Sequence, residues 1–211
     1  MAENLKGTLI FDFDGTLADT LMINLKILNE LSSFYQFKYT TPSQMQVLRQ
    51  LPANQVLKKL GINWFKVPWV MRSAKKKLNQ YMTQLPICED LKTTLFSLQK
   101  QYQLGIVTTN SRENVDAFLV HNRLGFFDFI YADAKLLGKN FMLKRVLRKE
   151  GLSADNTFYI GDELRDIIAA QRCSLQCLSV CWGYNSRGVL IKHNPNNIVE
   201  APQHLLTRLG T

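Results

Sequence analysis

The feature that most constrains this chain is a set of short apolar runs, each ending abruptly in polar side chains. Thr8 to Phe13 reads TLIFDF and Leu104 to Thr108 reads LGIVT. Phe158 to Ile160 leads into Gly161-Asp162, Cys177 to Trp182 reads CLSVCW, and a weaker run spans Phe129 to Tyr131. Runs without apolar–polar alternation suit strands covered on both faces, the condition of a parallel sheet. Helix-like stretches lie between them: Cys88 to Tyr102, Asn114 to Asn122, Phe141 to Glu150 and Asp166 to Arg172. Strands alternating with helices predict βαβ units, and so an α/β fold with a doubly wound parallel sheet.

The first run does not lead straight into that alternation. From Leu21 to Tyr81 apolar residues recur at helical spacing, as at Leu21, Leu25, Leu28 and Leu31, with Pro42, Pro52, Gly61, Pro68 and Pro86 as punctuation. The spacing predicts a helical domain over 17–85, inserted into a sheet domain made of 1–16 and 86–211. Trp64, Phe65 and Trp69 are expected to anchor its core. Ten Lys/Arg against Asp19 and Glu30 make the insertion +8, leaving +1 for the rest of a chain of net charge +9. Such a basic segment suits an anionic substrate, nucleic acid, an acidic partner or a solvated lysine face.

The start of the chain lacks the basic-then-apolar pattern of a secretory signal, and no window approaches eighteen uninterrupted apolar residues. A reduced, cytoplasmic setting without a membrane is the expectation. Cys173, Cys177 and Cys181 recur every fourth residue, but QRCSLQCLSVCWG reads as a helix end followed by a strand. Their side chains then share no face, and apolar filling is expected rather than a metal site.

In open α/β sheets, ligands sit at the carboxyl ends of the strands. The first run ends Asp12-Phe13-Asp14-Gly15-Thr16. The strand period sends Asp12 and Asp14 the same way, and two close carboxylates need a cation or a shared proton. Magnesium supplies the first remedy. The second run ends Thr108-Thr109-Asn110-Ser111, donors for phosphate oxygens. Lys139 brings a charge beside Gly138, and the fourth run ends Gly161-Asp162-Glu163-Leu164-Arg165-Asp166. Each motif alone is weak, and their order is specific.

Together they resemble the haloacid dehalogenase superfamily: DFDGT at Asp12 to Thr16, the strand-end Thr108, Lys139, and GDELRD at Gly161 to Asp166. The stretch Tyr159 to Ser186 looks most like the phosphoglycolate-phosphatase branch. The resemblance implies a Rossmann-like core with a helical cap, and a phosphatase acting on a small anionic phosphomonoester. By the same resemblance Asp12 is the nucleophile that forms an aspartyl-phosphate, and Asp14 the general acid and base. Thr108 or Thr109, with the Phe13 backbone amide and Asn110, binds the phosphoryl oxygens, and Lys139 neutralises charge, with Lys144 in reserve. Asp12, the carbonyl of Asp14 and Asp162, supported by Glu163 or Asp166, hold Mg2+. Arg49 is the candidate substrate contact from the insertion. Asn140-Phe141 follows the lysine where the branch often has proline. A phosphomutase of the same superfamily is the rival enzyme, and a binding protein using the basic cap the rival of another class.

Overall fold

Gly7–Phe11 (β1) is buried at every position, because it is the inner strand on which the rest of the sheet is laid. The computed structural model describes residues 5–133 and 138–211. The other strands are Tyr102–Val107 (β2), Phe129–Tyr131 (β3), Thr157–Gly161 (β4), Gln176–Val180 (β5) and Ile198–Val199 (β6). They form a sheet of six strands in the order β3-β2-β1-β4-β5-β6, and every pairing is parallel. From β1 the chain builds outward through β2 and β3, then returns to β4 on the other side of β1. The switch in strand order therefore falls between β1 and β4, where this architecture opens a crevice.

The period of two along β1 divides its side chains between two cores. Leu9 and Phe11 join Leu104, Ile106, Ile160 and Leu178 on one face. Ile10 joins Val107, Tyr159, Cys177, Leu143 and Val146 on the other. Truncating Phe11 to Ala is expected to cost about 3–5 kcal/mol. The covering helices are Leu91–Leu98 (α5), Arg112–Asn122 (α6), Lys139–Lys149 (α7), Leu164–Gln171 (α8), Arg187–His193 (α9) and His204–Leu209 (α10). The four cysteines are free, and three are buried.

Four helices fill the insertion: Leu21–Tyr35 (α1), Pro42–Leu48 (α2), Ala53–Leu60 (α3) and Val67–Asn79 (α4). Three of the prolines that break the pattern mark helix starts, where a missing N–H costs nothing. Pro42 opens α2 beside a Thr41/Gln44 capping box, Pro52 is the N-cap of α3, and Pro68 lies in the first turn of α4. Leu25, Met45, Leu48, Leu60, Ile62 and Val70 make a small core of their own. Ile27, Leu31, Ala74 and Leu78 instead extend the core of the sheet.

Three expectations fail in detail. Trp64, Phe65 and Trp69 do not anchor the insertion, being 72%, 79% and 62% exposed. The buried face of α4 runs through Val70, Ala74 and Leu78 at a spacing of four, and Trp69 is about 100° off it. Strand β1 stops at Phe11 rather than Phe13, because the N–H groups of Thr16, Leu17 and Ala18 all turn back to the Phe13 carbonyl. Tyr102 belongs to β2 rather than to the preceding helix, since it pairs in register with Gly7. Strand β6, with two residues, is too short to leave a periodic signal.

Candidate active site

Asp12 is the first residue past β1, and its N–H still bonds the Ile160 carbonyl at 2.8 Å, so the sheet itself sets its direction. Its carboxylate is buried, and Lys139 Nζ, at the start of α7, lies 2.7 Å from Oδ2. That ammonium is the charged partner of Asp12 and shares its protons between Asp12 and Asp166. Lys139 also meets Asp166 Oδ1 at 2.5 Å and stands over the Tyr159 ring. Burial alone would lower the lysine pKa, but Asp12 and Asp166 more than offset it and hold the ammonium charged.

Asp162 follows β4 and is fully buried. Thr16 Oγ1 donates to its Oδ1 at 2.7 Å and the Tyr184 N–H to its Oδ2 at 2.6 Å. The neighbouring glycines are sterically required, because a Cβ on Gly183 would lie 2.2 Å from Asp162 Oδ2 and one on Gly161 2.6 Å from Asp166 Oδ2. Asp166 sits in the first turn of α8, where its Oδ2 accepts from the Glu163 N–H at 3.0 Å. Glu163 closes that capping box and pairs with Arg165.

Asp12, Asp162 and Asp166 each bring one carboxylate oxygen within 4.8 Å of the others. Burial, and then the neighbouring acids, push Asp162 well above the usual carboxylate range. Burial also raises Asp12, against the pull of Lys139. Three buried acids with one lysine leave negative charge uncompensated. An all-oxygen donor set of this charge fits a hard divalent cation.

Asp14 lies two residues on, half-buried. Its carboxylate accepts from Asn110 Nδ2 at 3.2 and 3.0 Å. Burial first, and then the charge of Asp12, raise its pKa to about 6. Gly15, at φ 78°, lets the chain turn there, and a Cβ on it would meet Asp162 and the Tyr184 ring at 2.5 Å. Thr108 and Asn110 are buried at the end of β2, with Thr108 Oγ1 accepting the Asn110 N–H at 3.1 Å. Thr109 is half-buried, and its carbonyl accepts from Lys75 Nζ of α4. Phe13 is buried edge-on to Phe118 with centroids 5.1 Å apart.

The structure thus gathers Asp12, Lys139, Asp162 and Asp166 into one contact cluster, and joins Asp14 to Asn110. Glu163 stands beside this cluster, engaged with Arg165, and is not one of the three clustered acids. Arg49 turns three of its five N–H donors to protein: Nε to Tyr184 O at 3.2 Å, Nη2 to Gly183 O at 2.8 Å, and Nη1 to Gln46 at 3.2 Å. Tyr184 was not singled out from the sequence. Its ring covers Gly15, its N–H holds Asp162, and its hydroxyl meets Thr20 and Asn24. The signal was available, since Gly183-Tyr184-Asn185 closely follows β5 and strand ends carry sites.

Known proteins resemble this chain along nearly its whole length. A phosphoglycolate phosphatase from Synechococcus elongatus is 29% identical over 94% of this chain and 94% of its own. Pyrophosphatase PpaX from Bacillus mycoides is 26% identical over 97% of both chains. A haloacid dehalogenase-like hydrolase from Streptococcus pneumoniae has the same fold, with a TM-score of 0.80 at 18% identity, over 96% of this chain and 97% of that one. The family model for haloacid dehalogenase-like hydrolases matches residues 9–180, and the chain belongs to that family, on its phosphoglycolate phosphatase-like branch.

Proposed function

We propose that this chain is a phosphatase that hydrolyses a small anionic phosphomonoester through an aspartyl-phosphate on Asp12. The observation that carries the reading is the state of the Asp12 carboxylate. It is fixed by the sheet, buried at the strand end, and paired with the Lys139 ammonium at 2.7 Å, which keeps it ionised and aimed. A carboxylate so held is an available nucleophile. Asp12 attacks phosphorus as the bond to the leaving oxygen breaks, and Asp14 gives that oxygen its proton. Asp14 then takes a proton from water as the water oxygen bonds phosphorus and the bond to Asp12 breaks, releasing phosphate. A pKa of about 6 suits Asp14 to both directions near neutrality.

The Thr108 hydroxyl and the N–H groups of Phe13 and Thr109 bind the phosphoryl oxygens, while Lys139 balances charge on nucleophile and phosphoryl group. Asp12, Asp162, the Asp14 carbonyl and, in support, Asp166 would hold Mg2+, which would supply charge neutralisation for the phosphoryl group. The inserted helices act as a cap, a role supported by their contacts with the Thr109 and Gly183-Tyr184 loops. Their positive balance favours leaving groups that carry further negative charge, as in phosphoglycolate-like acids, sugar phosphates or nucleotides. The test is phosphate release from such esters by purified protein with Mg2+. Release that continues undiminished in excess chelator would overturn the metal assignment.

A further inference from the structure

The contacts of Asp14 do not end at Asn110. Asn110 Oδ1 accepts from the Ser111 N–H and from Asn114 Nδ2, both at 2.8 Å. Asn114 Nδ2 also donates to the Lys75 carbonyl at 3.2 Å, and Asn114 Oδ1 accepts from Asn79 Nδ2 at 2.8 Å. Three amides from two elements and a loop therefore run head to tail, from the exposed end of α4 through the first turn of α6 to the Asp14 carboxylate. Asn114 is 1% exposed and Asn110 1% exposed, so water is no ready substitute for either partner.

The direction of the chain is not a free choice. A backbone N–H only donates, so the Ser111 N–H makes the atom it meets on Asn110 the oxygen. The amide nitrogen of Asn110 must then face Asp14. A backbone carbonyl only accepts, so Lys75 makes the atom it meets on Asn114 the nitrogen, leaving oxygen for Asn79. Two backbone groups thus lock the polarity of the whole series, and aligned amide dipoles strengthen one another.

We propose that Asn79, Asn114 and Asn110 form a directed amide relay that positions Asp14, so that proton donation to the leaving group depends on α4 being seated on the sheet domain. Asn110 spans both oxygens of Asp14 and fixes the plane of its carboxyl. As Asn110 can only donate there, a proton on Asp14 must point away from that amide. Asn79 and Asn114 are positioning residues in this scheme, which rests on the reading of Asp14 as proton donor.

The test compares an alkyl phosphate, whose departure needs a proton, with p-nitrophenyl phosphate, whose departure needs little. Asn114→Leu should lower kcat on the alkyl ester about tenfold and on the aryl ester less than about threefold, with KM nearly unchanged. Asn79→Leu and Asn79→Asp should give smaller losses of the same pattern, and Asn79→Gln, which keeps the donor, should restore the rate. Equal losses on both esters, or losses confined to KM, would overturn the proposal. Independently of activity, the melting-temperature losses of Asn79→Leu and Asn114→Leu should be non-additive in the double variant, whereas additive losses would deny the relay. Should Asn114→Leu fail to fold, Asn114→Ser replaces it in both measurements. If the wild-type protein hydrolyses neither ester, the phosphatase reading falls, and the stability cycle still decides the relay.

Discussion

The sheet ends bury their charges, and the helices laid beside them expose theirs. Asp12, Lys139, Asp162 and Asp166 are at most 7% exposed. Lys58, Lys59, Arg72 and Lys76 of the insertion are exposed. Among the described residues, eight of the thirteen exposed large hydrophobic ones, from Met22 to Met71, also lie in the insertion. A buried charge held by backbone groups cannot relax, so its field acts fully on whatever binds beside it. An exposed lysine is hydrated and screened, and it moves. The first kind of charge suits a chemical step, and the second suits attraction and choice of substrate. Substitutions at the sheet ends should therefore change kcat, and those in the insertion should change KM.

The largest expected effect is at Asp12. Asp12→Asn removes the nucleophilic charge at nearly constant volume, and turnover should fall by about 10³-fold or more, with no phosphoenzyme trapped on the denatured protein. Near wild-type turnover in steady-state assays would break the comparison at its base. Next comes the metal. Three acids that repel one another should be relieved by a divalent cation, so adding Mg2+ to chelator-treated protein should raise the melting temperature and restore phosphate release together. A melting temperature indifferent to Mg2+ would separate the acidic cluster from any metal.

Asp14 tests the floor of the site in a different way. Asp14→Asn should slow hydrolysis of an alkyl phosphate by about 10²–10⁴-fold, and of an aryl phosphate less. The same substitution should stabilise the metal-free protein at neutral pH. The folded pKa of Asp14, about 6, lies above its ordinary value of 3.8. The folded state therefore binds the extra proton, and stability falls as pH rises through the window between those two values. The melting-temperature advantage of Asp14→Asn should be absent near pH 4 and full above about pH 6. An advantage that does not change with pH would mean that some other effect of the substitution is being measured.

The two regions were also unequally legible. Buried parallel strands leave runs that need no partner to be recognised, so β1, β2, β4 and β5 could be placed to within two residues or so. Asp12, Asp14, Lys139 and Asp162 stand at strand ends or beside a glycine, where local sequence already implies position. The contacts between regions had no such signal. Nothing local to Arg49 announces that its guanidinium meets the carbonyls of Gly183 and Tyr184, more than 130 positions away. Nothing in the local sequence marks Asn79 or Asn114, because what joins them is the docking of α4 on α6. The aromatic residues of the insertion misled for a related reason. Trp69 lies one position from the buried Val70, and one residue turns a helix by about 100°, enough to take a side chain off the buried face.

The smallest expected effect is in the lysines, and the structure divides a run that composition treats as one. Lys75 reaches the Thr109 carbonyl beside the candidate phosphate loop. Lys76 lines an outer groove of about 260 Å³ with Phe34, Tyr35 and Ser73, and Lys77 pairs with Glu30 at 2.6 Å. If charge in the insertion attracts substrate, only a lysine near the strand ends acts within a Debye length of the phosphoryl group, about 8 Å at physiological salt. Lys75→Gln should then raise KM for a phosphoester carrying a second negative charge by a few-fold, with kcat nearly constant, as expected when uniform binding is lost. Lys58→Gln with Lys59→Gln should move KM less than about twofold, and the shift should vanish in high salt. The control is a phosphoester with a neutral leaving group, whose KM should respond less to Lys75→Gln. A loss of kcat in Lys75→Gln instead would mean that the lysine works through the Thr109 loop on the phosphoryl group itself. The division between buried charge for chemistry and exposed charge for binding would then have to be redrawn to include the end of α4.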